Sequence, residues 1–239
     1  MSDVLLTFGD SWPYGAQIQD KSKRFPVLLA DKLGMDLLDL SKNATSIDHV
    51  VMAFFNFLEN DYNPEVKYTA LFCLTDISRA LAWRPMVSVP PRDELWVNDS
   101  TTLELQVGNT VDELSQVYFK QLHSPRLEIF VYHKNIVLLK LLCEKYNITD
   151  FYAHNFYDPN LEFRIVNRDR ISPITLTQLL NTKMYKEVIP DHLPGEEKAR
   201  ISRDLNDKNL LIQHGGHPSV AGHQVLADKL FEWILNERR

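Results

Sequence analysis

Two patterns alternate along this chain: short unbroken apolar runs closed by turn residues, and stretches whose apolar positions recur three and four apart. The first run, Val4-Leu5-Leu6-Thr7-Phe8, leads straight into Gly9-Asp10-Ser11 and a loop broken by Pro13 and Gly15. An apolar run without polar alternation predicts a strand buried on both faces of a parallel sheet. Phe25, Leu28, Leu29 and Leu33 then share one helical face. That helix is bracketed by Pro26, suited to a first helical position, and Gly34, suited to the residue just past the end. Met35 to Leu40 predicts a second strand, after which Ser46 can cap a helix from Ile47 with Val50, Val51, Phe54, Phe55 and Leu58 turned inward. Tyr68 to Leu74 is the third strand. Strand, helix, strand, helix, strand is the order of a parallel α/β sheet.

The regularity stops at Ile77. Residues 77–124 contain Pro85, Pro90, Pro91, Trp83, Trp96 and a β-like piece from Thr102 to Val107. A long irregular segment within a compact domain is usually a lid or binding loop, and its aromatic content argues against plain disorder. Leu127 to Tyr146 predicts a helix, apolar on most sides, that packs on the sheet and beneath that lid. Asp150 to His154 gives a fourth strand. A second insertion, 156–207, carries helical pieces near 176–185 and 196–205. The final pattern is a glycine-loosened loop, His214-Gly215-Gly216-His217-Pro218, opening into a helix with Val225, Leu226, Leu230, Phe231 and Ile234 at helical spacing.

Composition adds bounds to this outline. With 239 residues, 44% of them apolar, the chain can bury a sizeable core as one domain, expected to span residues 1–239. A net charge of −6 offers no basic footprint for nucleic acid. The two cysteines, Cys73 and Cys143, sit in separate apolar runs, which fits buried thiols in a reducing compartment. Asp3 and the Gly-Asp-Ser turn interrupt the N-terminal apolar stretch, so neither a signal peptide nor a membrane span is expected, and the expected location is cytoplasmic. No metal and no cofactor are expected. His214, His217 and His223 could suggest a metal, but Pro218 and two glycines spoil a regular ligand face and no acid or cysteine accompanies them.

The chemistry concentrates at the two ends of the chain. In open parallel sheets ligands bind beyond the carboxyl ends of the strands. Ser11 stands at that place after the first strand and can present its hydroxyl there, although Gly-Asp-Ser is also an ordinary turn sequence. His217 lies on a loop before a helix, free to point into a cleft, although a lone histidine there is also ordinary surface.

Taken together, these blocks resemble the SGNH (GDSL) hydrolase family over the two ends and the third strand, about half the chain. The resemblance implies an α/β, flavodoxin-like three-layer sandwich with a parallel five-stranded sheet, the SGNH hydrolase fold, here with lid insertions at 77–124 and 156–207. It also implies Ser11 as nucleophile and His217, in His217-Pro218, as base. The oxyanion hole implied by the family comprises the N–H of Ser11, a backbone donor at Asn43 where the family has glycine, and Thr75 where the family has asparagine. Three residues before His217, the family's aspartate is replaced by His214. In the triad the acid fixes the base's tautomer and stabilises the imidazolium. Its replacement leaves a Ser–His dyad, an atypical triad completed elsewhere (Asp76 and Asp207 are sequence-plausible), or impaired catalysis.

The activity implied is serine-dependent hydrolysis of an acyl ester: esterase, lipase, thioesterase or carbohydrate O-acetyl esterase. The implied partner is a small-molecule acyl ester or acetylated carbohydrate. The alternatives are a binding module that keeps the fold and cleft without efficient catalysis, and a structural component resting on the insertions.

Overall fold

The structure is a computed structural model, and it describes residues 3–77, 79–83, 102–105, 116–155, 168–173, 175–180, 210 and 217–237. A parallel sheet runs through the middle, formed by β1 (Val4–Phe8), β2 (Asp36–Asp39), β3 (Tyr68–Leu74) and β6 (Thr149–His154) in the order β2-β1-β3-β6. This is the doubly wound order in which the first strand sits inside and the chain reverses direction beside it.

The unbroken apolar runs are explained by burial on both faces. Along each strand successive side chains point to opposite sides. Leu5, Leu71, Cys73, Phe151 and Ala153 meet one layer, made by α2 (Phe25–Leu33), α5 (Leu176–Leu180) and α6 (Val220–Glu237). Leu6, Phe8, Ala70, Phe72, Leu74 and Tyr152 meet the other, made by α3 (Ile47–Asn60) and α4 (Pro125–Lys145). Phe8 stacks on Phe72 and meets Phe54 edge-on, with ring centroids 5.1 and 5.4 Å apart. Each fully buried ring of this kind contributes about 1.5–3 kcal/mol over an exposed one.

The helices begin and end as their flanking residues dictate. Pro26 lies in the first turn of α2, and Gly34, at φ +66°, closes it while the Met35 N–H donates to the Ala30 carbonyl. The Ser46 hydroxyl accepts from the His49 N–H at the head of α3. For α6 the cap is Ser219 rather than Pro218: its hydroxyl accepts from the Gly222 N–H at 3.2 Å. Gly222 leaves room for the chain packed beside it, since a Cβ there would fall 2.2 Å from the Leu210 carbonyl oxygen. Helix α4 lays Tyr132, Ile136, Leu139 and Cys143 on the sheet, and leaves Phe130 and Leu141 exposed.

The sheet has four strands among the described residues, one fewer than the five expected. Beside β6, where a fifth would pair, Ile171 makes a single parallel bridge to Tyr152. Helix α5 begins at Leu176. Thr175 and Gln178 cap that helix reciprocally, the Gln178 N–H donating to the Thr175 hydroxyl and the Thr175 N–H to Gln178 Oε1. The β-like piece of the first insertion is real: β5 (Thr102–Leu105) pairs antiparallel with β4 (Ala80–Trp83). Of the second insertion, α5 matches the start of the helical piece expected near 176–185, whereas Trp96 and the helical piece at 196–205 fall outside the described residues.

Candidate active site

At the carboxyl end of β1 the chain passes through a glycine that admits no side chain. Gly9 has φ +150°, and a Cβ would stand 2.8 Å from the Cys73 carbonyl oxygen and 2.7 Å from Pro13 Cγ. Pressed against β3 in this way, the backbone turns into the short helix α1 (Ser11–Tyr14), which ends at Gly15, φ +69°. Ser11 is therefore the first residue after a tightly packed bend, and it is 5% exposed.

Asp10, fully buried, organises the bend. Its Oδ1 accepts from the Trp12 N–H at 3.0 Å and from Asn155 Nδ2 at 2.7 Å. Its Oδ2 accepts from the Thr75 hydroxyl at 2.8 Å and from the Arg79 guanidinium at 3.2 Å. One carboxylate thus ties together the ends of β1, β3 and β6. Burial raises its pKa, opposed by Arg79, the Trp12 N–H and the Thr75 hydroxyl.

The loop after β2 is held against the same bend. The Lys42 N–H donates to the Gly9 carbonyl at 2.9 Å, and the Thr45 hydroxyl donates to that carbonyl at 3.1 Å. Asn43 lies between them with its side chain exposed. Among the described residues neither the Ser11 nor the Asn43 backbone N–H donates a hydrogen bond. The Thr75 hydroxyl differs: its one hydrogen is directed at Asp10.

His217 arrives from the other end of the chain. Ser219, two residues on, donates its N–H to the Leu210 carbonyl at 2.9 Å and fixes the approach. The His217 ring lies within electrostatic reach of Asp10 and Arg79, so it is brought to the bend that carries Ser11. Burial lowers its pKa, with Asp10 acting upward and Arg79 downward, and the ring is neutral near pH 7. Nδ1 donates to Gln17 Oε1 at 2.9 Å. No hydrogen bond joins Ser11 to His217 among the described residues.

His214, in the acid's place by sequence, and Asp207 lie outside the described residues. Asp76 is described, and its charge acts on Glu128 rather than on His217. His223 belongs to the core: its Nδ1 accepts from the Phe25 N–H at 3.1 Å and its ring stacks on Phe25. No cluster of potential metal ligands occurs among the described residues.

Three residues of this constellation carried no signal in the sequence: Arg79, Asn155 and Gln17. Arg79 also lines a cavity of about 560 Å³ between α3 and α4. Its walls are apolar at Ile47, Val51, Met52, Ile77, Val131 and Leu138. One arginine therefore joins the cavity to the nucleophile bend. No helix among the described residues is long and apolar enough to cross a membrane.

No protein-family model matches the chain, and a search of the curated proteins finds no match. Among solved structures, the chain is similar in fold to the psychrotrophic esterase EstA from a Pseudoalteromonas species, at 13% identity and TM-score 0.47, with 98% of this chain and 97% of that one covered. It is similar to TesA at 10% identity and TM-score 0.48, covering 98% and 99%. It is also similar to a member of the lipolytic protein G-D-S-L family from Veillonella parvula, at 10% identity and TM-score 0.43, covering 97% of each chain. At these identities and scores the likenesses fix neither chemistry nor substrate, which must be argued from this chain's own residues.

Proposed function

We propose that the chain is an ester hydrolase of the SGNH type. Ser11 Oγ attacks an acyl carbonyl, His217 takes the hydroxyl proton and returns it to the leaving alcohol, and water then releases the acyl group by the same path in reverse. The observation that supports this reading most is the meeting of the two chain ends: His217 Nδ1 lies 2.9 Å from Gln17 Oε1, six residues after Ser11, and the ring is within electrostatic reach of Asp10. A lowered histidine pKa keeps the ring neutral and able to accept a proton near pH 7. The unengaged N–H groups of Ser11 and Asn43 serve as oxyanion donors. Thr75, expected as a third donor, instead buttresses Asp10. Hydrogen bonds between nucleophile and base commonly form or tighten only when substrate enters, so the lack of a Ser11–His217 hydrogen bond among the described residues is compatible with this reading. The cavity beside Arg79, apolar at Ile47, Val51, Met52 and Leu138 and polar at Asp48, Glu128, Lys134 and Asn135, has a volume within the range of about 300–1,000 Å³ usual for small-molecule pockets and can take the acyl portion on its apolar side.

A fluorophosphonate tests the nucleophile without knowledge of the substrate. The wild-type protein is expected to take one label, on Ser11, and Ser11→Ala to take none. Turnover of a p-nitrophenyl ester should fall at least about 10³-fold in Ser11→Ala. Label persisting in that variant, assigned by mass to another serine, overturns the reading.

The absence of a spare Thr75 hydrogen supports a second reading, a binding module that retains the cleft. Two backbone donors without the third would weaken oxyanion stabilisation, each lost donor being worth about 10²–10³ in turnover. A protein that takes no label, yet is protected from thermal unfolding by an ester, belongs to that reading.

A further inference from the structure

We propose that Gln17 is the positioning residue for His217, filling with a neutral amide the place that an acid takes in a Ser-His-Asp triad; this rests on the ester-hydrolase reading above. The geometry is specific. His217 Nδ1 lies 2.9 Å from Gln17 Oε1. An amide oxygen only accepts, so Nδ1 carries the hydrogen and Nε2 presents its lone pair. That is the tautomer a general base needs, and fixing it is the orienting part of the acid's role.

The backbone around Gln17 is built to hold that oxygen in place. Gln17 has φ +69°, a left-handed conformation uncommon for a residue with a side chain. The turn that imposes it is tied at several points. The Ala16 N–H donates to the Ser11 carbonyl at 2.9 Å, and the Ile18 N–H to the Gly15 carbonyl at 3.4 Å. Lys21 Nζ donates to that same Gly15 carbonyl at 2.7 Å, and the Ile18 side chain is buried. Nucleophile and orienting amide are thereby carried on one short tethered loop, and the base meets that amide from the far end of the chain. In the family pattern acid and base share the loop before the last helix, where this chain has His214 in place of the acid.

A neutral partner orients the ring without stabilising its charge. Among the described residues the charged groups that act on His217 are Asp10 and Arg79, of opposite sign, and the nearby His223 is neutral near pH 7. Neither Asp10 nor Arg79 hydrogen-bonds the ring. Gln17→Glu supplies the missing charge with nearly the same shape, whereas Gln17→Ala removes the contact.

The experiment combines fluorophosphonate labelling rates across pH with the ¹⁵N shifts of the His217 ring, for wild type, Gln17→Ala, Gln17→Glu and Ser11→Ala. In wild type the ring nitrogens are expected to report Nδ1–H. Gln17→Ala should mix the two tautomers and slow labelling about tenfold, the worth of one ordinary hydrogen bond. Gln17→Glu should keep the Nδ1–H tautomer, move the acid limb of the labelling profile up by about one pH unit, and recover at least the wild-type rate. A Gln17→Ala protein with wild-type ring shifts overturns the proposal, as does one labelled at the wild-type rate while Ser11→Ala is not labelled. If no variant is labelled, or Ser11→Ala still is, the hydrolase reading fails. The ring shifts in Gln17→Ala then decide alone whether Gln17 positions His217.

Discussion

Asp10→Ala is expected to lower the free energy of unfolding by about 3–5 kcal/mol, the cost of removing one partner from a buried ion pair. Arg79 is 19% exposed at its side chain, so water relieves part of its loss, whereas Asp10 is 0% exposed and gives its neighbours no such relief. The Trp12 N–H, the Thr75 hydroxyl and Asn155 Nδ2 would each lose an acceptor inside the fold, at about 1–3 kcal/mol for each one left unsatisfied. Asp10→Asn keeps one acceptor oxygen but turns an NH₂ group toward donors, and should fall between wild type and alanine. Urea unfolding at pH 7 reads the difference. A loss below about 1 kcal/mol for alanine would mean that the neighbours find other partners and that the carboxylate is not the tie described above. Ser11 should also lose its fluorophosphonate reactivity in any Asp10→Ala protein that remains folded, because the cap on α1 goes with the carboxylate.

The second large effect is a loss of stability in mild acid. Burial holds the pKa of His223 at about 4, helped by the nearby Arg24 and Lys21, and burial with Lys42 nearby holds His49 at about 4. An unfolded histidine titrates near 6.5, so on acidification the unfolded chain takes up protons first. The stability contributed by these neutral rings is present in full above about pH 6.5 and is lost as the pH falls towards 4. A shift of this size corresponds to a loss on the order of 3 kcal/mol for each ring. Asp10 works in the opposite direction: its raised pKa makes the folded state the better proton acceptor, which offsets part of the loss. His223→Asn can keep an acceptor for the Phe25 N–H without a titrating ring. The variant should start from a lower stability at pH 7 and show a shallower decline to pH 4.5. Parallel declines in urea midpoint for wild type and His223→Asn would show that His223 does not cause the acid sensitivity.

The sequence disclosed most where local rules act alone. Val4 to Phe8 and Tyr68 to Leu74 read as buried strands because their apolar runs have no wet face. Pro26, Gly34 and Ser46 mark helix ends through their own backbone and side-chain chemistry. Four strands of the sheet lie among the described residues, and the fifth that the family resemblance implies is not among them. The polar constellation around Asp10 was hidden for a different reason. Arg79, Asn155 and Gln17 are ordinary loop residues whose partners are distant in sequence or lie across a turn, and no periodicity records such pairings. Thr75 shows the limit of aligning by residue type: its position after β3 was legible, but its single hydrogen goes to Asp10.

The placement of the two thiols gives the molecule a pair of internal clocks. Cys73 faces the layer of α2, α5 and α6, directly beneath Gly9, whereas Cys143 faces the layer of α3 and α4. Burial raises both thiol pKa values, reinforced for Cys73 by the charges of Asp10 and Asp39 and for Cys143 chiefly by Asp150, so neither reacts with an alkylating agent until its side of the sheet parts. The two alkylation rates therefore time two separate openings within one chain. Equal rates mean that the sandwich comes apart as a single cooperative unit, and a faster Cys73 means that the floor beneath the nucleophile breathes on its own.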